Sequence, residues 1–147
     1  MHRLFSLFVL AFAALCAATG MAGAQSIPDM KGVWTGTSKS IVSGPAPFHP
    51  ATVPSKPAGP NRLTEVEFTM TVQGQQDVRF WGTRGSATKV EPVIGVISAD
   101  GKRIRVIAEG GGLIEGNFVD NDSIEIFYIE NRNGVSVAAT NLFKRRK

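Results

Sequence analysis

Residues able to do nucleophilic or acid–base chemistry are few in this chain, which holds two histidines and one cysteine in 147 residues. His2 and Cys16 fall in an N-terminal segment read below as a cleaved leader, leaving His49 as the only imidazole. That removes cysteine nucleophiles and multi-histidine metal sites from consideration. A Ser-His-Asp triad could still be built through His49, but it would stand on a proline-rich stretch with no G-x-S-x-G elbow. His49 reads instead as a loop residue fixed by Pro50.

Glu65 and Glu67 are spaced like a carboxylate pair. Two apart on a strand, they project side by side on the face opposite Val66, Phe68 and Met70, which is a solvated face. Asp120, Asn121 and Asp122 lack the later ligands and the bidentate glutamate of a calcium loop. The Asn121-Asp122-Ser123 sequon matters only where exported proteins are glycosylated. Gly110 to Gly112 precede no helix that could cradle a phosphate. No catalytic set, metal site or cofactor is predicted, so the expectation is a protein that is not an enzyme.

The elements that would position any site begin after the leader. His2 and Arg3 precede an apolar run from Leu4 to Ala18, and Ala22, Gly23 and Ala24 supply the small residues of a cleavage site. Residues 1–24 thus read as a signal peptide and the protein as periplasmic or secreted. The run breaks at Thr19 and Gly20, short of the roughly 20 residues a membrane-spanning helix needs, so no transmembrane segment is expected. Residues 25–147 contain no cysteine, so one domain must hold itself together without disulfides. Of their 15 basic residues four form the terminal Lys144 to Lys147 run, against 12 acidic residues. The body is nearly neutral, which sets nucleic-acid binding aside.

Beyond the leader apolar residues recur with period two, and glycine or asparagine punctuates every eight to twelve residues. The strands expected are 31–42, 64–73, 76–85, 90–99, 102–109, 113–119, 123–130 and 135–144. Gly74 and Gln75 are expected to turn the chain, Asp100 and Gly101 to form a type I′ hairpin, and Pro92 to mark an edge or a bulge. Short turns make sequence neighbours antiparallel partners. The fold class is therefore all-β, an eight-stranded antiparallel up-and-down barrel, whose closure removes exposed edges. A two-sheet sandwich would need longer Greek-key connections. The one long connection is 43–62, with six prolines and two glycines, read as a loop without regular structure that is either a solvent excursion or a cover over one barrel mouth.

Gly32, Val33 and Trp34 form the GxW motif that in calycins (lipocalins, fatty-acid-binding proteins, avidins) sits at the closed end of the barrel. This chain resembles that arrangement, with KGVWTGTSKS similar to the opening strand of avidins and NLFKR to their closing one. The resemblance implies a calycin-like barrel in which Lys144 or Arg145 packs over Trp34 as a structural plug. Gly36 stands where avidins carry the asparagine that holds biotin, and Trp81 is the only other tryptophan, so biotin is not the implied ligand. FWGTR and EPVIGVISADGK also resemble small exported bacterial proteins with no assigned activity.

In a meander, loop 43–62, Ser86 to Lys89, the Gly110 turn and Asn131 to Asn133 share one end. Parity aims Ser38, Ser40, Phe68, Arg84 and Tyr128 inward beneath that end, with His49 above them. Apolar walls with a few convergent polar groups are what small-ligand sites look like. The expected function is a non-catalytic binding barrel for a small, partly apolar or anionic ligand at the long-loop mouth. The alternative is a protein-binding barrel, such as a periplasmic lysozyme or protease inhibitor, acting through its loops. A barrel this small could also be filled by its own side chains. Self-association is left open.

Overall fold

The computed structural model describes residues 26–147, so the expected leader over 1–24, with His2 and Cys16, lies outside the described residues. Nine strands follow in order: β1 Gly32–Ser43, β2 Lys56–Ala58, β3 Asn61–Gln76, β4 Arg79–Gly85, β5 Val90–Ile97, β6 Arg103–Ala108, β7 Leu113–Asp120, β8 Ser123–Arg132 and β9 Val135–Arg145. Among the described residues there is no helix. Each strand from β3 to β9 pairs antiparallel with the next, and β1 pairs with both β9 and β3. Eight strands thus close an up-and-down barrel, while β2 is a three-residue flap hydrogen-bonded to the start of β3.

Period-two patterning carries this outcome. In β6, Ile104, Val106 and Ala108 are buried while Arg103, Arg105 and Ile107 are exposed, and β8 alternates the same way. Trp34, Met70, Phe80, Ile104, Ile114 and Ile124 fill the interior at 2 % exposure or less. Each contributes roughly 1.5–3 kcal/mol of burial.

Four local expectations are corrected. The chain turns at Asp77 and Val78, not at Gly74 and Gln75. Gly74 sits inside β3 at a bulge, where a Cβ would fall 2.2 Å from the Trp81 indole of the neighbouring strand, so its missing side chain serves packing. At Asp100-Gly101 only Gly101 has positive φ, and the turn spans Ser98 to Gly101, with Asp100 accepting from the Ser98 hydroxyl and the Lys102 amide. The type I′ geometry belongs to Asn133-Gly134, both at positive φ between the paired Arg132 and Val135. Pro92 is at neither an edge nor a bulge. It lies one residue outside the β5–β6 ladder, which begins at Val93 and Ala108, so its missing N–H breaks no bond there.

The far end of the barrel is sealed by the segment before β1. Met30 is fully buried, its amide donates to Gln75 Oε1 and its carbonyl accepts from the Trp34 indole N–H at 2.9 Å.

Candidate functional site at the long-loop mouth

The turns after β1, β4, β6 and β8 gather at one end, as meander parity requires. Loop 44–55 folds down onto that mouth. Arg62 holds its start by donating to the carbonyls of Gly44 and Pro45, and β2 holds its end. Between them Phe48 and His49 turn inward, and Phe48 receives the Lys89 ammonium 3.4 Å from its ring centroid. The connection is therefore a packed cover, and the segment expected to lack regular structure contains a short strand.

All six residues expected to face the mouth border one chamber: Ser38, Ser40, His49, Phe68, Arg84 and Tyr128. Ser38, His49, Phe68, Arg84 and Tyr128 are each less than a tenth exposed, and the Ser40 hydroxyl bonds Thr64 Oγ1 at 2.6 Å. The space they leave is about 20 Å³, room for about one water. The barrel interior is filled by its own side chains, and a ligand of several atoms would enter only if loop 44–55 withdrew.

The chamber is organised by a carboxylate that parity alone could not single out. Glu91 on β5 is 2 % exposed. It accepts from His49 Nε2 at 2.8 Å, from Arg84 Nη1 at 3.2 Å and from the Gly110 amide at 2.7 Å, tying the long loop, β4 and the β6–β7 turn to one strand. Because β5 carries apolar residues on both parities, the pattern leaves open which face looks inward. Glu130 was legible, since it continues the Ile124, Ile126, Tyr128 series. It is buried and accepts from the Tyr128 hydroxyl at 2.9 Å.

Arg84 lies between two rings, its guanidinium carbon 3.9 Å from the Phe68 centroid and 4.8 Å from that of Tyr128. Burial lowers its pKa, against the opposing pull of Tyr128 and Glu91. For Glu91 burial acts upward, but the bonds from His49 and Gly110 and the charges of His49 and Arg84 outweigh it and hold the carboxyl below its ordinary range. Burial, then the Glu130 carboxylate, pushes the Tyr128 phenol up.

Ser86, His49 and Glu91 form a hydrogen-bonded chain, Ser86 Oγ standing 3.1 Å from His49 Nδ1. The His49 ring thus bridges the Ser86 hydroxyl and the Glu91 carboxylate. This is the atom order of a nucleophile, base and acid. Its surroundings favour a latch instead. The Ser86 amide is spent on the Lys89 carbonyl, so it cannot receive an oxyanion, and the Ser86 oxygen also accepts from the Thr88 amide. Glu91 divides its charge among three donors. The chain fastens the cover to the β4–β5 turn and β5.

A larger concavity lies outside the barrel, beside the same loop. A groove of about 700 Å³ runs between the flap and the outer wall, with Ile41, Val53, Leu63 and Phe127 as apolar walls and Lys39 and Lys56 among its lining. Sequence reasoning missed it because Ile41 and Leu63 occupy outward positions. Among the described residues no cluster of three or more His, Cys, Asp or Glu side chains is arranged to hold a metal. No helix there is long and apolar enough to cross a membrane.

At the opposite end Arg145 covers Trp34, as the calycin resemblance implies, and the closed eight-stranded barrel is consistent with a calycin-like fold. No protein-family model matches the chain, and no curated protein matches it in sequence.

Proposed function

We propose that this protein is an exported, non-catalytic binding barrel that takes a small, partly apolar anionic ligand at its long-loop end, in the outer groove beside the flap. The observation that carries the reading is the groove itself. Its volume lies in the range of small-molecule sites, roughly 300–1,000 Å³, whereas the interior chamber holds about one water. Ile41, Leu63, Val53 and Phe127 would cover an apolar body, and Lys39 and Lys56 would meet an acidic group. Export rests on residues 1–24 and is tested by N-terminal sequencing of the secreted or periplasmic protein, which should begin at Gln25.

Fluorescence titration with anilinonaphthalene sulfonate, an anionic apolar probe, tests the groove. Saturable one-to-one binding is expected, weakened at least about tenfold by Leu63→Glu and several-fold by Lys56→Glu. Arg84→Ala, which alters only the chamber, should leave the affinity unchanged. Absence of saturable binding, or binding that both groove variants leave intact, would refute the reading.

A further inference from the structure

The outer wall carries an apolar row that barrel folding leaves uncovered. Trp81, Ile94, Ile107, Leu113 and Ile129 are successive cross-strand partners from β4 to β8, and the row continues to Ala138 on β9. Ile94, Ile107 and Ile129 are 65, 59 and 58 % exposed, in a chain whose barrel interior is already full. Next to this row runs a second one, Arg79, Val96, Arg105, Glu115, Phe127 and Thr140, read from the same ladders. A third, towards the Asp100 turn, is polar and includes Arg103, Asn117 and Glu125.

We propose that this wall is a self-association face, occupied by a second copy of the chain around a two-fold axis lying along the strands between β6 and β7. The register itself supplies the argument. That axis sets Ile107 of one copy against Leu113 of the other and Ile94 against Ile129. In the second row it sets Arg105 against Glu115 and Val96 against Phe127, and in the third Arg103 against Asn117. In the first two rows every apolar position from β5 to β8 meets an apolar one, and the basic side chain meets the acidic one twice, as an isologous contact requires. Moving the axis onto β6 would place Arg105 against Arg105, so the charges select one arrangement.

Within the chain Arg105 and Glu115 already lie 3.1 Å apart, both well exposed, so a second copy would close a four-charge ring. The wall is also hollowed there: a depression of about 490 Å³ is lined by Val96, Arg105, Glu115 and Phe127 among others. This lets two barrels approach more closely than two convex surfaces would. On a closed eight-stranded barrel only β5 to β8 turn towards a partner at the β6–β7 seam, and four strands about 4.8 Å apart with three same-face rows about 7 Å apart span on the order of 400 Å². That is about half of the roughly 800 Å² per partner of a standard interface, the scale of a weak pair with an apolar centre and a polar rim.

Sedimentation equilibrium of the purified protein without ligand tests the face independently of the groove. A dimer is expected at concentrations of about 10–100 μM. Ile107→Glu, beside the axis, should raise the dissociation constant at least about tenfold, as should Ile94→Lys if the first variant folds poorly. Arg105→Glu or Glu115→Arg alone should weaken the dimer several-fold, and the double exchange should restore it. Glu67→Arg, on the outer face of β3, should leave the dissociation constant unchanged. A monomer throughout that range, or dissociation constants unmoved by both isoleucine variants, would overturn the proposal. Probe binding that persisted in such a monomer would leave the groove reading standing.

Discussion

Arg145 lies over the indole of Trp34, its guanidinium carbon 4.1 Å from the ring centroid, while the two residues face each other across the β1–β9 ladder. The same guanidinium donates to the carbonyls of Asp29, Lys31 and Asn121 and to the Asp122 carboxylate. One side chain therefore joins the leading segment, the β7–β8 turn and the last strand over the closed end. Trp34→Ala should cost about 3–5 kcal/mol in urea unfolding. Arg145→Ala should cost about 2 kcal/mol, with little recovered by Arg145→Lys, because an ammonium cannot reach several carbonyls in one plane. Loss of less than about 1 kcal/mol from Trp34→Ala would contradict the plug.

Acid should loosen the opposite end. The Glu91 carboxyl is held below its ordinary range in the folded protein by His49, Gly110 and Arg84, against the effect of burial. A depressed folded-state value contributes stability that is present above the unfolded-state pKa and is lost as pH falls through the folded one. The melting temperature should therefore drop as pH falls below about 4.5, the ordinary glutamate range. Glu91→Gln should be less stable at pH 7 and show a shallower acid decline. Parallel curves for the two proteins would show that Glu91 is not the titrating group.

Alkali should act through Tyr128, the only tyrosine in the chain. Burial and Glu130 raise its phenol above the ordinary value. A raised folded-state value means stability that is complete below about pH 10 and is lost as pH rises from there through the folded-state pKa. Absorbance near 295 nm should therefore report phenolate only at a pH above that of free tyrosine. Tyr128→Phe should lose the bond to Glu130 and also the alkaline drop in stability. Ionisation at about pH 10 in the folded protein would contradict the buried Tyr128–Glu130 contact.

The Ser86–His49–Glu91 chain is expected to hold the cover and not to attack substrates. His49→Ala should speed amide hydrogen exchange across residues 44–55 at least about tenfold while leaving β6 to β8 unchanged. An alkyl fluorophosphonate should leave Ser86 unmodified. Stoichiometric labelling of Ser86, abolished in His49→Ala, would overturn the non-catalytic reading.

The sequence determined the number of barrel strands, their order and their antiparallel pairing, because period-two patterning and short turns constrain neighbours directly. It also placed Ser38, Phe68, Arg84 and Tyr128 on the inner face, since side-chain parity is local. The calycin resemblance of its first and last strands put Lys144 or Arg145 over Trp34, and the structure selects Arg145.

What it could not decide depended on distances across the barrel. Glu91 lies on a strand apolar on both faces, so only closure shows that it points inward to meet His49, a residue 42 positions earlier. Whether the chamber is open or filled depends on how loop 44–55 packs, which no repeat encodes. The groove beside Leu63 and the row from Trp81 to Ile129 are each assembled from single outward positions on different strands. They become surfaces only when the register sets those residues side by side.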